Sequence, residues 1–265
     1  MTALVADVKE MLHEQLQYRE LLFQMTKRDL LLRYKQTTMG FAWAIFMPLV
    51  NTAVFAVVFT RVSPIDVGMP YVLFAFTGLL AWNFSASSFK FAVNSLTTNP
   101  NLVTKVYFPR EIFPLSSVLV CLMDFAVGSL VVIGLMVYYR VHLTWAIAAL
   151  PVVLLVHILF TFAVSLMLAM ANLFYRDVKY LFDVLITVWM FATAVLYPIN
   201  VGGRLGQVLQ LNPLTPIIEG YRSVLIRGEL PATEPFLVAT GISLILLVVS
   251  WLAFHRAEFQ FAENI

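Results

Sequence analysis

Six runs of about 20 or more mostly apolar residues, near 39–60, 71–89, 112–139, 143–175, 180–199 and 235–254, dominate a chain of 265 residues. Each is long enough to cross a bilayer core as a helix, which takes roughly 20 residues. Lipid offers backbone N–H and C=O groups no partner, so a crossing segment must satisfy them within itself, and the alternating ten-residue strands of a membrane barrel are not visible. The expected fold is all-α: a polytopic membrane protein with six transmembrane helices. Composition agrees, with 61% of residues hydrophobic, 12% charged and a mean hydropathy of +0.86, where a soluble domain is about 45–50% apolar and about 25% charged. The same figures exclude a disordered chain.

Six crossings leave both termini on one side. Twelve Lys and Arg, from Lys9 to Arg256, fall in segments on that side, against Arg61, Arg140, Arg204, Arg222 and Arg227 opposite. Positive loops stay in the cytoplasm, so both termini are expected there. Residues 1–38 lack the apolar core and cleavage site of a secretory signal, so insertion is expected to begin at an internal, uncleaved span. A net charge of +2 is too balanced to imply a nucleic-acid partner. Cys121, the single cysteine, lies in an apolar run and reads as a small packing residue. No internal repeat of spans is visible, which weakens an inverted-repeat secondary transporter.

The segments between spans carry more information. Residues 1–38 place Val5, Val8, Leu12, Leu16, Leu22, Met25 and Leu32 at helical spacing among charged residues, which predicts an amphipathic helix in the cytoplasmic interface. Its end carries Arg28, Arg33 and Lys35 with Tyr34, a pattern suited to anchoring on lipid headgroups or to admitting an anionic substrate. Residues 97–115 hold Pro100, Pro109 and Pro114, which bracket a short helix carrying Lys105, Tyr107, Phe108, Arg110 and Glu111. Such decoration suggests a docking element, although an ordinary solvated loop would hold the same charges. Residues 172–181 form a very short turn bearing Arg176, Asp177 and Lys179. On the far side, 201–230 contain two short amphipathic stretches joined by LNPLTP. Neither can span, so a re-entrant hairpin before the last span is expected, with Asn212 and Pro213 at its break and Glu219, Tyr221 and Arg222 on its second arm; two surface-lying helices are the alternative.

Polar residues inside spans are costly and point to a role. Asp124 and His157 lie about 16 residues on either side of the turn near Arg140. Adjacent antiparallel helices would bring them to one depth, facing each other or a common lumen; plain interhelical hydrogen bonding is the alternative, and Asn51, Asn83 and Asp183 raise the same question. No Gly is followed by Lys, so the phosphate-cradling GxxxxGK[ST] loop is absent. His13, His142, His157 and His255 show no metal-ligand spacing, and GxSxG is missing. No catalytic, metal or cofactor site is expected in this chain.

RDLLLRYKQTTMGFAWAIFMPL at 28–49, YFPREIFPLSSVLVCLMDF at 107–125, NLFYRDVKYL at 172–181 and LNPLTPIIEGYRSVL at 211–225 together resemble the membrane subunit of bacterial ABC transporters that export polysaccharides, a family that includes exporters of lipid-linked O antigens, capsules and teichoic acids. The resemblance implies a six-span permease in the bacterial inner membrane that pairs with a second copy of itself and with two copies of a separate ATPase subunit, which binds the ATP and Mg. It places 97–112 at the family's main coupling helix, with Arg176 to Lys179 near the second cytoplasmic contact. The N-terminal helix corresponds to the interface helix and 203–228 to the external gate. The implied substrate is a polyprenyl-linked polysaccharide. An exporter of drugs or small lipids, a glycosyltransferase and a channel without an ATPase are the rival readings; short cytoplasmic loops disfavour the second.

Overall fold

The computed structural model describes residues 14–35, 37–40, 42–62, 67–198 and 212–261, and among these the chain is helical without a strand. The N-terminal helix α1 spans Arg19–Tyr34. It is followed by α2, Ala42–Val57, extended by a π-helical turn Val58–Val62, and by α3, Tyr71–Ser95. A short α4, Pro100–Lys105, leads to α5, Ile112–Tyr138. A 3-10 turn, Trp145–Ala149, opens α6, Leu150–Phe174. Then come α7, Val178–Ala192, α8, Leu214–Arg222, with a π-helical turn Ser223–Arg227, and α9, Thr233–Ala257, closed by a 3-10 turn.

Five of these, α2, α3, α5, α6 and α9 with their terminal turns, are long and apolar enough to cross a membrane. The sixth run, 180–199, behaves differently: helix ends at Ala192, Ala194 takes a positive φ of 51°, and the chain continues without helix to residue 198. At a rise of 1.5 Å per residue, 15 residues reach only about 22 Å. The segment nevertheless runs the length of α3. Asp183 lies 3.9 Å from Lys90 near one end of α3, and the Leu196 carbonyl accepts a hydrogen bond from the Tyr71 hydroxyl, 3.0 Å away, at the other.

Helix α3 sits at the centre, packed by α2, α5, α6, α7 and α8. Nearly all its side chains are buried, yet it is the least apolar of the five long helices. Both facts have one cause: a helix surrounded by protein rather than lipid can hold Thr77, Ser85, Ser88 and Ser95 among its apolar residues. Helix α9 shows the opposite case, packing chiefly on α6 and exposing a row of Leu237, Val238, Ile245 and Val249. Local signals set the boundaries. Proline stands in the first turn of α4 and of α6, where its missing N–H has no helical partner to lose. Gly228 ends the π turn at φ 71°, a conformation that disfavours other residues, and its carbonyl accepts from Thr144 at 2.9 Å.

Candidate functional site

Three places gather the residues singled out in the sequence. The first is the end of the bundle where α3 leads into α4 and α6 into α7. Lys105 and Tyr107 point outward, Tyr107 with 79% of its surface exposed, whereas Phe108 is buried against Phe113 with ring centroids 5.5 Å apart. Arg110 turns inward. Its Nη1 lies 2.7 Å from Glu258 Oε1, and its Nε and Nη2 donate to the Val103 carbonyl at 3.3 and 3.2 Å. Glu111, 1% exposed, stands 3.5 Å from His255 Nδ1. The expected docking set therefore divides by direction. Arg110 and Glu111 fasten the segment to the end of α9, Phe108 packs on Phe113 of α5, and Lys105 and Tyr107 face out. Glu258 and His255 were not foreseen, although their i, i+3 spacing on the last helix was visible. Arg176 and Asp177 are exposed, and Lys179 stands over the Tyr180 ring at 4.8 Å. A notch of about 350 Å³ joins the two segments, walled by Thr97, Thr98 and Pro100 on one side and Asn172, Arg176 and Lys179 on the other. Asn172 Nδ2 reaches the Val93 carbonyl at 2.7 Å and ties the two walls together.

The second place lies where the end of α1 meets α5. Arg33 Nη1 is 2.6 Å from Asp124 Oδ2, the Tyr34 hydroxyl donates to the other carboxylate oxygen, and the guanidinium stacks 4.5 Å from the Phe91 ring centroid. Burial, and then the hydrogen bond to the Asp124 carboxylate, push the Tyr34 hydroxyl above its ordinary range, so it remains a donor. Of the four residues expected at headgroups, Arg33 and Tyr34 are thus engaged by Asp124. Arg28 pairs with Asp29 at 2.7 Å, and Lys35 is exposed. Asp124 and His157 take separate partners rather than facing each other. His157, fully buried, bonds Ser85 Oγ at 2.8 Å and the Tyr221 hydroxyl at 3.2 Å, and the Phe84 and Phe125 rings meet it edge-on. Successive residues of a helix point about 100° apart, so Phe125 faces α6 while Asp124 beside it faces α1. Similar depth was legible from the count along the chain; azimuth was not.

The third place is α8. Its first expected arm, 201–211, lies outside the described residues, as do residues 1–13, the start of the helix expected over 1–38. The second arm is sunk in protein: Leu214, Ile217, Ile218 and Tyr221 all join the core around α3. Asn212 closes the end of α7, with Nδ2 2.9 Å from Thr193 Oγ1 and 3.4 Å from the Ala192 carbonyl, while its Oδ1 accepts from Trp189 Nε1 at 3.1 Å. Pro213 is the residue before the first turn of α8. Arg222 is 2% exposed. Its Nη2 donates to the Val195 carbonyl at 2.5 Å and the Phe74 carbonyl at 3.3 Å, and its guanidinium stacks on the Phe74 ring at 3.5 Å. Glu219 balances this charge, 3.2 Å from Arg222 and 2.5 Å from Arg227. Buried backbone groups need partners, and Asn212, Tyr71 and Arg222 supply them to the carbonyls of Ala192, Leu196 and Val195.

Residues 20–226 match the family described as ABC-2 type transporter. Along nearly its whole length the chain is similar to the O-antigen export system permease protein RfbA of Myxococcus xanthus, with 31% identity over 259 residues that cover 96% of this chain and 99% of that one. A permease protein of the same name from Klebsiella pneumoniae is 29% identical over 248 residues, covering 92% and 94%.

Proposed function

The chain belongs to the ABC-2 type transporter family, and from that premise we propose that it is the membrane subunit of an exporter that moves a lipid-linked, O-antigen-like polysaccharide across the bacterial cytoplasmic membrane. The observation that carries this reading is the end-to-end likeness to O-antigen export permeases of two organisms. In this reading the chain crosses the membrane six times with both termini in the cytoplasm. The course of 178–196 along α3 supports the sixth crossing, since its short helix is completed by backbone whose carbonyls Tyr71 and Arg222 satisfy. Helix α1 lies in the interface: Met25 is buried against the bundle, while Phe23, Leu31 and Leu32 are left for lipid.

ATP and Mg belong to a separate subunit, two copies of which dock beneath a pair of permeases. The notch between 97–100 and 172–179 receives each of them, with Lys105 and Tyr107 beside it. Movement delivered there passes along Arg110 and Glu111 to the end of α9 and along Asn172 to α3. Packed helices shift between discrete arrangements, so a push at one end can open a path between two copies.

The test is copurification with the ATPase subunit. Replacing Lys105 by Glu together with Tyr107 by Ala should reduce the retained ATPase about tenfold, equivalent to about 1.4 kcal/mol, with no change in melting temperature. Deleting the protein should trap lipid-linked glycan on the cytoplasmic side. Glycan reaching the surface without the protein, or ATP hydrolysis by the purified chain alone, would overturn the proposal.

A further inference from the structure

A half-open cavity of about 420 Å³ lies beneath the end of α1, lined by α1, α2, α3 and α5, within the roughly 300–1,000 Å³ of small-molecule sites. We propose that it is a binding site for one uncharged, hydroxyl-rich ring, a sugar unit of the exported chain. This deepens the export reading above and rests on it.

Three observations select that chemistry. Asn51 of α2, exposed to the cavity, and Asn83 and Ser87 of α3, half-buried, line it, and none has a side-chain hydrogen-bond partner among the described residues. Polar groups held at membrane depth are costly without partners. An acyl chain in the cavity would leave all three unpaired. An occupant with hydroxyls, each both donor and acceptor, meets amides that also offer both.

Charge gives the second argument. Among the described residues, the charged side chains on the wall, Arg33 and Asp124, neutralise each other at 2.6 Å, and the Tyr34 proton is also held by Asp124. A pyrophosphate would have to separate that pair and then lie against the carboxylate. An uncharged ring can leave it intact. Shape gives the third. Trp43, Met47 and Asn51 follow one another at intervals of four along α2, so an apolar indole face and a polar amide lie on one wall. A sugar ring has the same two characters, C–H groups on its faces and hydroxyls at its rim.

The experiment uses the full transporter with its ATPase subunits in nanodiscs and a diazirine-bearing octyl glucoside as the probe. Light-driven labelling should map to peptides containing residues 43–51 and 83–87. Excess methyl glucoside should suppress it, and inorganic pyrophosphate should not. Replacing Asn51 and Asn83 by Leu should lower the labelling about tenfold, and because Leu leaves no polar group to satisfy, the variant should keep its melting temperature. If that variant fails to assemble, the competition on the unaltered protein decides alone. Labelling elsewhere, suppression by pyrophosphate, or equal labelling by a diazirine-bearing alkyl phosphate overturns the proposal. Retention of the ATPase and trapping of glycan are separate readouts, so loss of this site and loss of the export reading are distinguishable.

Discussion

Arg33 and Asp124 illustrate why an ionisable residue in a span needs its partner named. Asp124 is mostly buried in α5, and the cation that meets it comes from α1, across 91 positions of sequence. Removing one member of such a pair leaves the other desolvated and unmatched, which costs more than removing both. Arg33→Ala should therefore lower stability by about 2 kcal/mol, whereas adding Asp124→Ala should restore part of the loss, with a coupling of about 1–2 kcal/mol. Thermal unfolding of the four proteins in one detergent checks this; strictly additive losses would show that the pair is not coupled. Gly78 makes a second residue-scale case. A Cβ there would fall on the Arg222 guanidinium and lie 2.7 Å from the Val195 carbonyl. Gly78→Ala should cost about 1–3 kcal/mol through that overlap, read as a fall in melting temperature; an unchanged value would mean the guanidinium can yield. Neither dependency is legible in the sequence, because the partner of a buried charge is fixed by helix rotation and not by spacing along the chain.

At the scale of elements, apolar length announced six spans, of which five are long helices, and the prolines announced a short helix that ends at Lys105, so that Tyr107, Phe108, Arg110 and Glu111 lie beyond it. The same signal could not show that α7 stops at Ala192, because hydropathy sums side chains and the break is made by what binds the backbone. Asn212 caps α7, and Arg222 binds the Val195 carbonyl. The anchoring of α8 is electrostatic at its outer end. Burial pushes the Glu219 carboxyl up, but the Arg222 charge, with Arg227, outweighs that and holds it below the ordinary 4.5. A carboxyl depressed in the folded state contributes stability that is present above its unfolded value and lost as pH falls through the folded one. Melting temperature should therefore drop as pH falls below about 4.5, and Glu219→Gln, less stable at pH 7, should show a smaller further drop. Equal acid sensitivity of the two proteins would remove Glu219 from this role. Arg222→Lys makes the companion prediction. Lysine keeps the charge without the planar fork that meets two carbonyls and the Phe74 ring, so α8 should loosen, seen as faster hydrogen exchange in residues 214–227 than in α3.

For the whole molecule, the unequal covering of its long helices indicates what surrounds them. The exposed row of α9 is apolar throughout, as lipid requires. On α7 only Phe182 and Ile186 are buried, and the exposed face mixes Val184, Leu185 and Val188 with Thr187 and the carboxylate of Asp183. Charged and polar side chains within spans turn toward protein or water and not toward lipid. Helix α7 is therefore the face expected to meet a second copy or to border a path between copies, and α9 the face expected to meet lipid. With Cys121 replaced by Ser, a protein carrying Thr187→Cys should give a crosslinked species near 60 kDa, twice 29.9 kDa, on treatment with a short bifunctional maleimide in membranes. Ile245→Cys on α9 should remain monomeric under the same conditions. A twofold axis brings a residue near its own copy only when it lies close to that axis, so scanning cysteines along α7 should show crosslinking rise and fall with helical period. Crosslinking from α9 with none from α7 would invert the assignment of the two faces, and a monomer from every position would remove the paired conduit from the proposed mechanism.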